Sequence, residues 1–274
     1  SNMGKALVLE NVNYFAINGM YDADQSWFVN RRNYASTKFT NGCHVKSTLY
    51  LHTANHGQFN TDWGKYDTVP GISWLQNVVP LMPPSDQEKI AKMYMSGFMR
   101  ATLKGETQFL SMLKDYRSAM AFLPNSTTLF NQYQDNCAVT IADFENEDVY
   151  AASLPNSTVQ ENGFVEWGNV YVLEVFTNAL LLRSNATNTY TITIPEMFTE
   201  TLSLDIIKVA GTKDIKLDLT NAQGTVTSHV INVSPTLTRE LYKLAPSEPR
   251  IAFQTVHIPV KDSITKLSLS VTQS

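Results

Sequence analysis

Asp22 follows Gly19 in "NGMYDADQ", and His56 stands in "LYLHTANHGQFN", 34 positions further on. A carboxylate that holds an imidazole by its Nδ1 hydrogen leaves Nε2 to take a proton from a hydroxyl. That is two-thirds of a nucleophile, base and orienter triad. Each residue lies just past an apolar run, where a buried strand would emerge into a loop. Asp24 is a second acid in the same "DAD" turn, and the ordinary role of either aspartate is to cap a turn. The ordinary role of a histidine in such a loop is a surface or turn residue. His52 and His56 form an H-x3-H pair, but the pair runs off a strand and Thr53 stands where a zinc protease needs its glutamate. No metal and no cofactor is expected. Trp27, Phe59 and Trp63 are the candidates to line an acyl or aromatic pocket, with packing as the plain alternative.

The elements around these residues must bring them together. Residues 11–19, "NVNYFAING", and 44–53, "HVKSTLYLHT", read as buried strands, and "DQSWFVNRRNYASTKF" between them can form a crossover helix. Strand, helix, strand is the parallel βαβ unit, which delivers both post-strand loops to one edge of the sheet. Further on, "PPSDQEKIAKMYMSGFMRATLKG" predicts a helix over 85–104. Ser85 and Glu88 would form its capping box, and Gly105 would be its stop. Ile90, Met93, Tyr94, Phe98 and Ala101 would share its buried side, with a Glu88–Lys92 pair in solvent. A short helix around 106–118 follows.

Gly19-x-x-Asp22 after a strand, then "ANHGQFNTDWG" and a long amphipathic helix, resembles the C-terminal part of an α/β-hydrolase. The likeness is to the dienelactone-hydrolase-like and acyl-hydrolase branch, over about residues 8–118. It implies a chain order of Ser, Asp, His, with the serine on a G-x-S-x-G elbow, Asp22 as acid and His56 as general base. No G-x-S-x-G occurs in these 274 residues, and Ser96 in "YMSGFM" lies inside the predicted helix. The resemblance therefore implies a C-terminal fragment of a serine hydrolase of ester or acyl bonds, inactive alone because the nucleophile is missing. A degenerate, short protein is the second account. Ser1-Asn2-Met3 reads as a cloning remnant, with no signal peptide. Two parallel strands would leave an open edge, so dimerisation or an edge-covered assembly is expected.

From about residue 121 the pattern changes. Residues 121–136 read as a connection, and then short segments such as "NTYTITI", "DIKLDLT" and "KLSLSVT" alternate in the manner of antiparallel strands. The expected organisation is a partial α/β domain over 4–120, the last strands and helices of that fold, and an all-β antiparallel sandwich over 121–274. The second part resembles jelly-roll, galactose-binding-like modules. That likeness implies sugar stacking on Trp167, Tyr171 or Tyr190, against the alternative that these rings are packing. It also supplies the second functional expectation, a non-catalytic carbohydrate- or surface-binding module.

Composition narrows the rest. Hydrophobic residues make up 43% and charged residues 17%, as in a globular chain, and the net charge of −4 comes with no basic run. A nucleic-acid surface needs clustered cations, so no such partner is expected; an ester substrate or a glycan is. No stretch approaches about 18 apolar residues, so no membrane span is expected. Cys43 and Cys137 are two thiols far apart, read as unrelated and buried, with a single bridge left open. The compartment is undetermined, leaning extracytoplasmic.

Overall fold

The computed structural model describes residues 7–25, 28–68, 70–125, 127–145, 148–163, 165–173, 175–182, 188–209, 214–232 and 237–271. In chain order the elements are β1 (Tyr14–Gly19), α1 (Val29–Ser36), β2 (Val45–Leu51), α2 (Pro84–Leu103), α3 (Leu110–Lys114) and β3 (Leu129–Asp135). They are followed by β4 (Thr158–Asn162), β5 (Val165–Val172), β6 (Val175–Leu182), β7 (Thr189–Met197), β8 (Thr201–Ile206) and β9 (Ile215–Thr220). The last are β10 (Val226–Ile231), β11 (Leu237–Arg239), β12 (Glu248–Arg250), β13 (Gln254–Pro259) and β14 (Ile264–Val271).

Two compact units result. The first comprises Ser1–Cys137, Leu173–Val175 and Thr236–Thr255, and the remainder forms the second. The sequence boundary at 120/121 differs from this in two ways, and both have a polar cause. Residues 129–135, read as part of a connection, are the strand β3, antiparallel to β2 from Val45↔Asp135 to Leu51↔Leu129. Its sequence, "LFNQYQD", looks like loop because it is rich in amides, yet Asn131 is fully buried. Asn131 Nδ2 donates to the carbonyls of Leu113 and Lys114, and its Oδ1 accepts the Tyr116 amide. Satisfied amides can occupy a core that unsatisfied ones would destabilise. The segment around β11 and β12 also belongs to the first unit, where the buried Arg239 side chain finds acceptors there at Glu248 and the Met20 carbonyl.

The first unit holds a three-stranded sheet in the order β1–β2–β3. β1 and β2 run parallel with α1 between them, in register from Tyr14↔Lys46 to Gly19↔Leu51. Every residue of the central strand β2 is buried. Lys46 on that strand is buried too, and its ammonium donates to the Tyr34 and Thr37 carbonyls at the end of α1 at 3.1 and 2.9 Å. A cation there satisfies the helix's last acceptors and opposes its dipole. Leu49, Leu51, Ile90, Tyr94 and Leu113 are completely buried and centre the core between β2, α2 and α3. Each such side chain contributes about 1.5–3 kcal/mol of burial.

Helix α2 buries Ile90, Tyr94, Gly97 and Ala101, carries the Glu88–Lys92 pair at 2.8 Å, and stops before Gly105 at φ +71°. Its start corrects one expectation. The helix begins at Pro84, after Pro83, with no side-chain cap, so Ser85 and Glu88 lie in its first turns and form no capping box. Proline suits that position because the amide it lacks would have no partner within the helix. Cys43 and Cys137 are exposed and joined by a disulfide, which corrects the reading of unrelated buried thiols. The β2–β3 pairing brings the flanks of these two strands together, with Cα atoms 5.3 Å apart.

The second unit is built from antiparallel strands. Its main sheet runs β10–β9–β14–β7–β4, beside the pairs β8–β13 and β5–β6. Tyr190, Ile192, Ile194, Leu217, Leu219, Val256, Ile258, Ile264 and Leu267 form its core, alternating with outward residues along β7 and β9 as a one-sided sheet requires. This is the sheet-rich, sandwich-like character expected of the second half.

The α/β-hydrolase resemblance is not upheld. Strand accounts for 38% of the structure, in several sheets, against 20% helix. Among the described strands the parallel pairing is that of β1 with β2, beside an isolated parallel bridge between Glu10 and Lys38, and the sheet that contains β1 and β2 closes with an antiparallel strand. An extended parallel sheet needs helices over both faces, and this chain has too little helix for that.

Candidate active site

Gly19 is where the two post-strand segments meet. A Cβ at this position would lie 2.6 Å from the Ala54 carbonyl oxygen, so only glycine lets the backbones approach so closely. The segments then stay together past the end of the sheet: the Met20 amide donates to the Leu51 carbonyl and the Tyr21 amide to the Ala54 carbonyl, both at 2.9 Å. Asp22 and His56 follow within two residues of these bonds.

The two side chains meet. His56 Nδ1 lies 3.2 Å from Asp22 Oδ2, with the carboxylate 11% exposed and the imidazole 36%. Asp22 Oδ1 accepts the amides of Asp24 and Gln25 at 2.9 and 2.6 Å, a turn that fixes the carboxylate's orientation. Asp24 donates its amide to Asp22, so the turn presents Asp22 and not Asp24 to the ring. With Nδ1 engaged, the imidazole favours the tautomer whose Nε2 carries a lone pair. Among the described residues no hydroxyl or thiol is bonded to that Nε2. The Trp63 ring stacks on the imidazole, centroids 5.6 Å apart and planes within 9°.

Three residues that sequence reasoning missed hold this pair in place. Gln87, fully buried on α2, donates to the Asn55 carbonyl at 2.7 Å and accepts the Asn55 amide at 3.2 Å. The backbone beside His56 is thus fixed to a long helix. Arg239, also buried, donates through Nη1 to the Met20 carbonyl at 2.9 Å, two residues before Asp22. Asp67 accepts from both loops and is taken up below. The residue types carried a signal only in retrospect: a glutamine on the buried side of an amphipathic helix must have partners.

Burial pushes the Asp22 carboxyl above its ordinary value of 3.8; the Gln25 amide and the His56 ring pull it back, and the Asp67 charge adds to the rise. A carboxyl whose folded value is raised stabilises the fold fully below 3.8 and loses that contribution as pH rises through the folded value. Asn does not titrate. We therefore expect urea denaturation of Asp22→Asn and the unaltered protein to show their difference moving in the variant's favour as pH rises above 3.8, then becoming level towards neutrality. A difference moving the other way would mean that the carboxylate, not the acid, is the form the fold prefers.

The other candidates are placed as follows. Trp27 lies outside the described residues. Phe59 packs half-buried against the first core, so it serves packing and not an open pocket wall. Trp63 is 63% exposed beside His56. His52 Nε2 is bonded to the Thr238 carbonyl at 2.9 Å, and no metal-ligating cluster occurs among the described residues. In the second unit Tyr190 is fully buried with its hydroxyl on the Val149 carbonyl at 2.5 Å, and Trp167 is half-buried with Nε1 on the Phe144 carbonyl at 2.8 Å. Both belong to or pack against that core, and Tyr190 has no free face for a sugar. Tyr171 is 48% exposed and its ring lies 4.8 Å from that of Phe176, which is 68% exposed. No helix among the described residues is long and apolar enough to cross a membrane.

Comparison with known proteins adds little. No family model and no curated protein matches the chain. Among solved structures it is similar to the enzymatically active domain of tailspike protein 4 of bacteriophage CBA120, at 15% identity and a TM-score of 0.30. The match covers 48% of this chain and 18% of that one. A likeness so slight defines no fold here.

Proposed function

We propose that Asp22 and His56 are the acid and base of a serine-type hydrolytic site acting on an ester or similar acyl bond. The observation that carries the reading is the 3.2 Å contact between Asp22 Oδ2 and His56 Nδ1, with the imidazole 36% exposed. In the reaction, Nε2 takes the hydroxyl proton as the nucleophile's oxygen bonds to the acyl carbon. The imidazolium, held by Asp22 through Nδ1–H, then gives the proton to the departing alkoxide, and water repeats the cycle on the acyl-enzyme. Trp63 covers one face of the ring and offers a flat apolar surface beside it. On this reading the nucleophile is supplied from outside the described residues and the chain alone is expected to turn over no ester, because a base without nucleophile and oxyanion hole lacks the largest contributions to rate. The exposed Cys43–Cys137 bridge supports an oxidising, extracytoplasmic setting.

A fluorophosphonate probe tests this. The isolated chain should remain unlabelled, and hydrolysis of short aryl esters should stay at the level of a His56→Ala control. Stoichiometric labelling of any serine would place the nucleophile within the chain and overturn that part of the proposal.

The exposed Tyr171–Phe176 pair favours a second reading for the other unit, the stacking of a sugar face on those rings. Retention on a polysaccharide affinity gel that is lost in Tyr171→Ala would support it; no retention on any polysaccharide by the unaltered protein would remove it.

A further inference from the structure

Asp67 receives two polypeptide segments at once. Its Oδ2 accepts the amides of Ala23 and His56, both at 3.1 Å, and its Oδ1 accepts the Gly57 amide at 2.7 Å and Asn55 Nδ2 at 2.8 Å. Gln76, fully buried, steadies it from behind: Gln76 Oε1 accepts the Asp67 amide at 2.9 Å and Gln76 Nε2 approaches Oδ2 at 3.5 Å. The Ala23 amide is the one next after the acid, and the His56 amide is the base's own. One carboxylate thus spans the backbones that carry both groups.

We infer that Asp67 is the positioning residue of the Asp22–His56 couple, setting the separation and the tautomer of the imidazole without touching the reacting atoms; the inference rests on the proposed reading of that couple. A carboxylate suits the place chemically. Four N–H groups converge on two oxygens at 2.7–3.1 Å, with Gln76 Nε2 a fifth at 3.5 Å, and a carboxylate offers about four acceptor sites to them and no hydrogen to oppose them. An asparagine would turn an NH2 towards at least two N–H donors. The neighbouring glycine adds to the case: a Cβ on Gly57 would lie 2.5 Å from the Gly64 carbonyl and 3.1 Å from Asp67 Oδ1, so the base loop is drawn against the Gly64–Asp67 turn with no room to spare. Asp67 also adds a second negative charge near Asp22, which helps hold that carboxyl above its ordinary value.

The test is proton and nitrogen NMR of the full chain with 15N-labelled histidine. In the unaltered protein the His56 ring should be in the Nδ1–H tautomer with a low-field, slowly exchanging proton. In Asp67→Asn that proton should be lost and the ring should shift to the Nε2–H tautomer common in water, while the amide spectrum of β1, β2 and β3 is kept. Loss of the low-field proton in Asp22→Asn serves as reference. Absence of the Nδ1–H signature in the unaltered protein would overturn the reading of the couple itself. Its retention in Asp67→Asn would overturn only the role of Asp67. Should Asp67→Asn unfold, Asp67→Ser, which leaves room for water, takes its place. Hydrogen exchange in the unaltered protein decides without any variant: the loop amides of Ala23, His56 and Gly57 should be protected together, and rapid, unequal exchange of the three would refute the clamp.

Discussion

Replacing both Cys43 and Cys137 by serine is expected to lower the stability of the first unit by about 4–5 kcal/mol, the largest effect of any change at its surface. The bridge closes a segment of 94 residues that contains β2, α2, α3 and β3. Cross-linking so long a segment removes much of the unfolded chain's freedom, and on the chain-entropy account a loop near a hundred residues corresponds to about 4.7 kcal/mol. The cysteines are exposed, so their replacement leaves no cavity and the loss is that of the constraint. Domains of this size have only about 5–15 kcal/mol in hand. Urea denaturation of the variant, followed by a probe in the first unit, should therefore show a midpoint close to failure at room temperature. Reduction with dithiothreitol should produce the same shift in the unaltered protein. A loss under about 1 kcal/mol would mean that the unfolded chain keeps enough residual structure for the bridge to remove little of its freedom.

The meeting of Asp22 and His56 was more legible than the fold around it. Asp22 and His56 could be named because each follows a short apolar run ending in a recognisable break, and because strand, helix, strand predicts a shared edge for two such breaks. The structure places β1 and β2 parallel and the two side chains 3.2 Å apart. The wider inference from the same residues was misplaced, because a local motif of an acid and a base says nothing about how many strands lie beyond it. β3 went unseen since Asn131, Gln132 and Gln134 mimic a loop, and amides count as polar until their partners are known. Arg239 and Glu248 were hidden for a related reason. They sit among the residues of the sandwich in sequence, yet return to the first unit because a buried guanidinium goes where carbonyls and a carboxylate await it. Asp67 escaped notice because its role is to accept backbone amides, and backbone amides carry no side-chain pattern that sequence can display. In the second unit the alternation of period two was sufficient to predict antiparallel sheets, but not which aromatic rings faced outward. Tyr190 lies in the core, while Tyr171 lies exposed beside Phe176.

Gly19→Ala is the second change with a large expected effect, and it tests how the sheet registers the site. The added methyl would sit 2.6 Å from the Ala54 carbonyl oxygen, 2.9 Å from its carbon and 3.1 Å from the Asn55 nitrogen. All three are backbone atoms, so no side-chain rotation can relieve the contact, and the two segments must move apart. Overpacking of this kind costs about 1–3 kcal/mol. The movement should also break the Tyr21-to-Ala54 hydrogen bond, which ties the stretch leading to Asp22 to the stretch leading to His56. A displacement of an ångström there takes the Asp22–His56 contact beyond hydrogen-bonding distance. We expect Gly19→Ala to lower the urea midpoint and to abolish the low-field His56 proton even under conditions where the fold is fully populated. Gly71→Ala is the matched control, since nothing lies within 4 Å of a Cβ there, and it should be neutral or stabilising by about 0.4–1 kcal/mol. If Gly19→Ala behaved like this control, the close approach at the end of β1 would not be what aligns acid and base. The alignment would then rest on Asp67 and Gln87 alone, on the loops and the helix instead of the sheet.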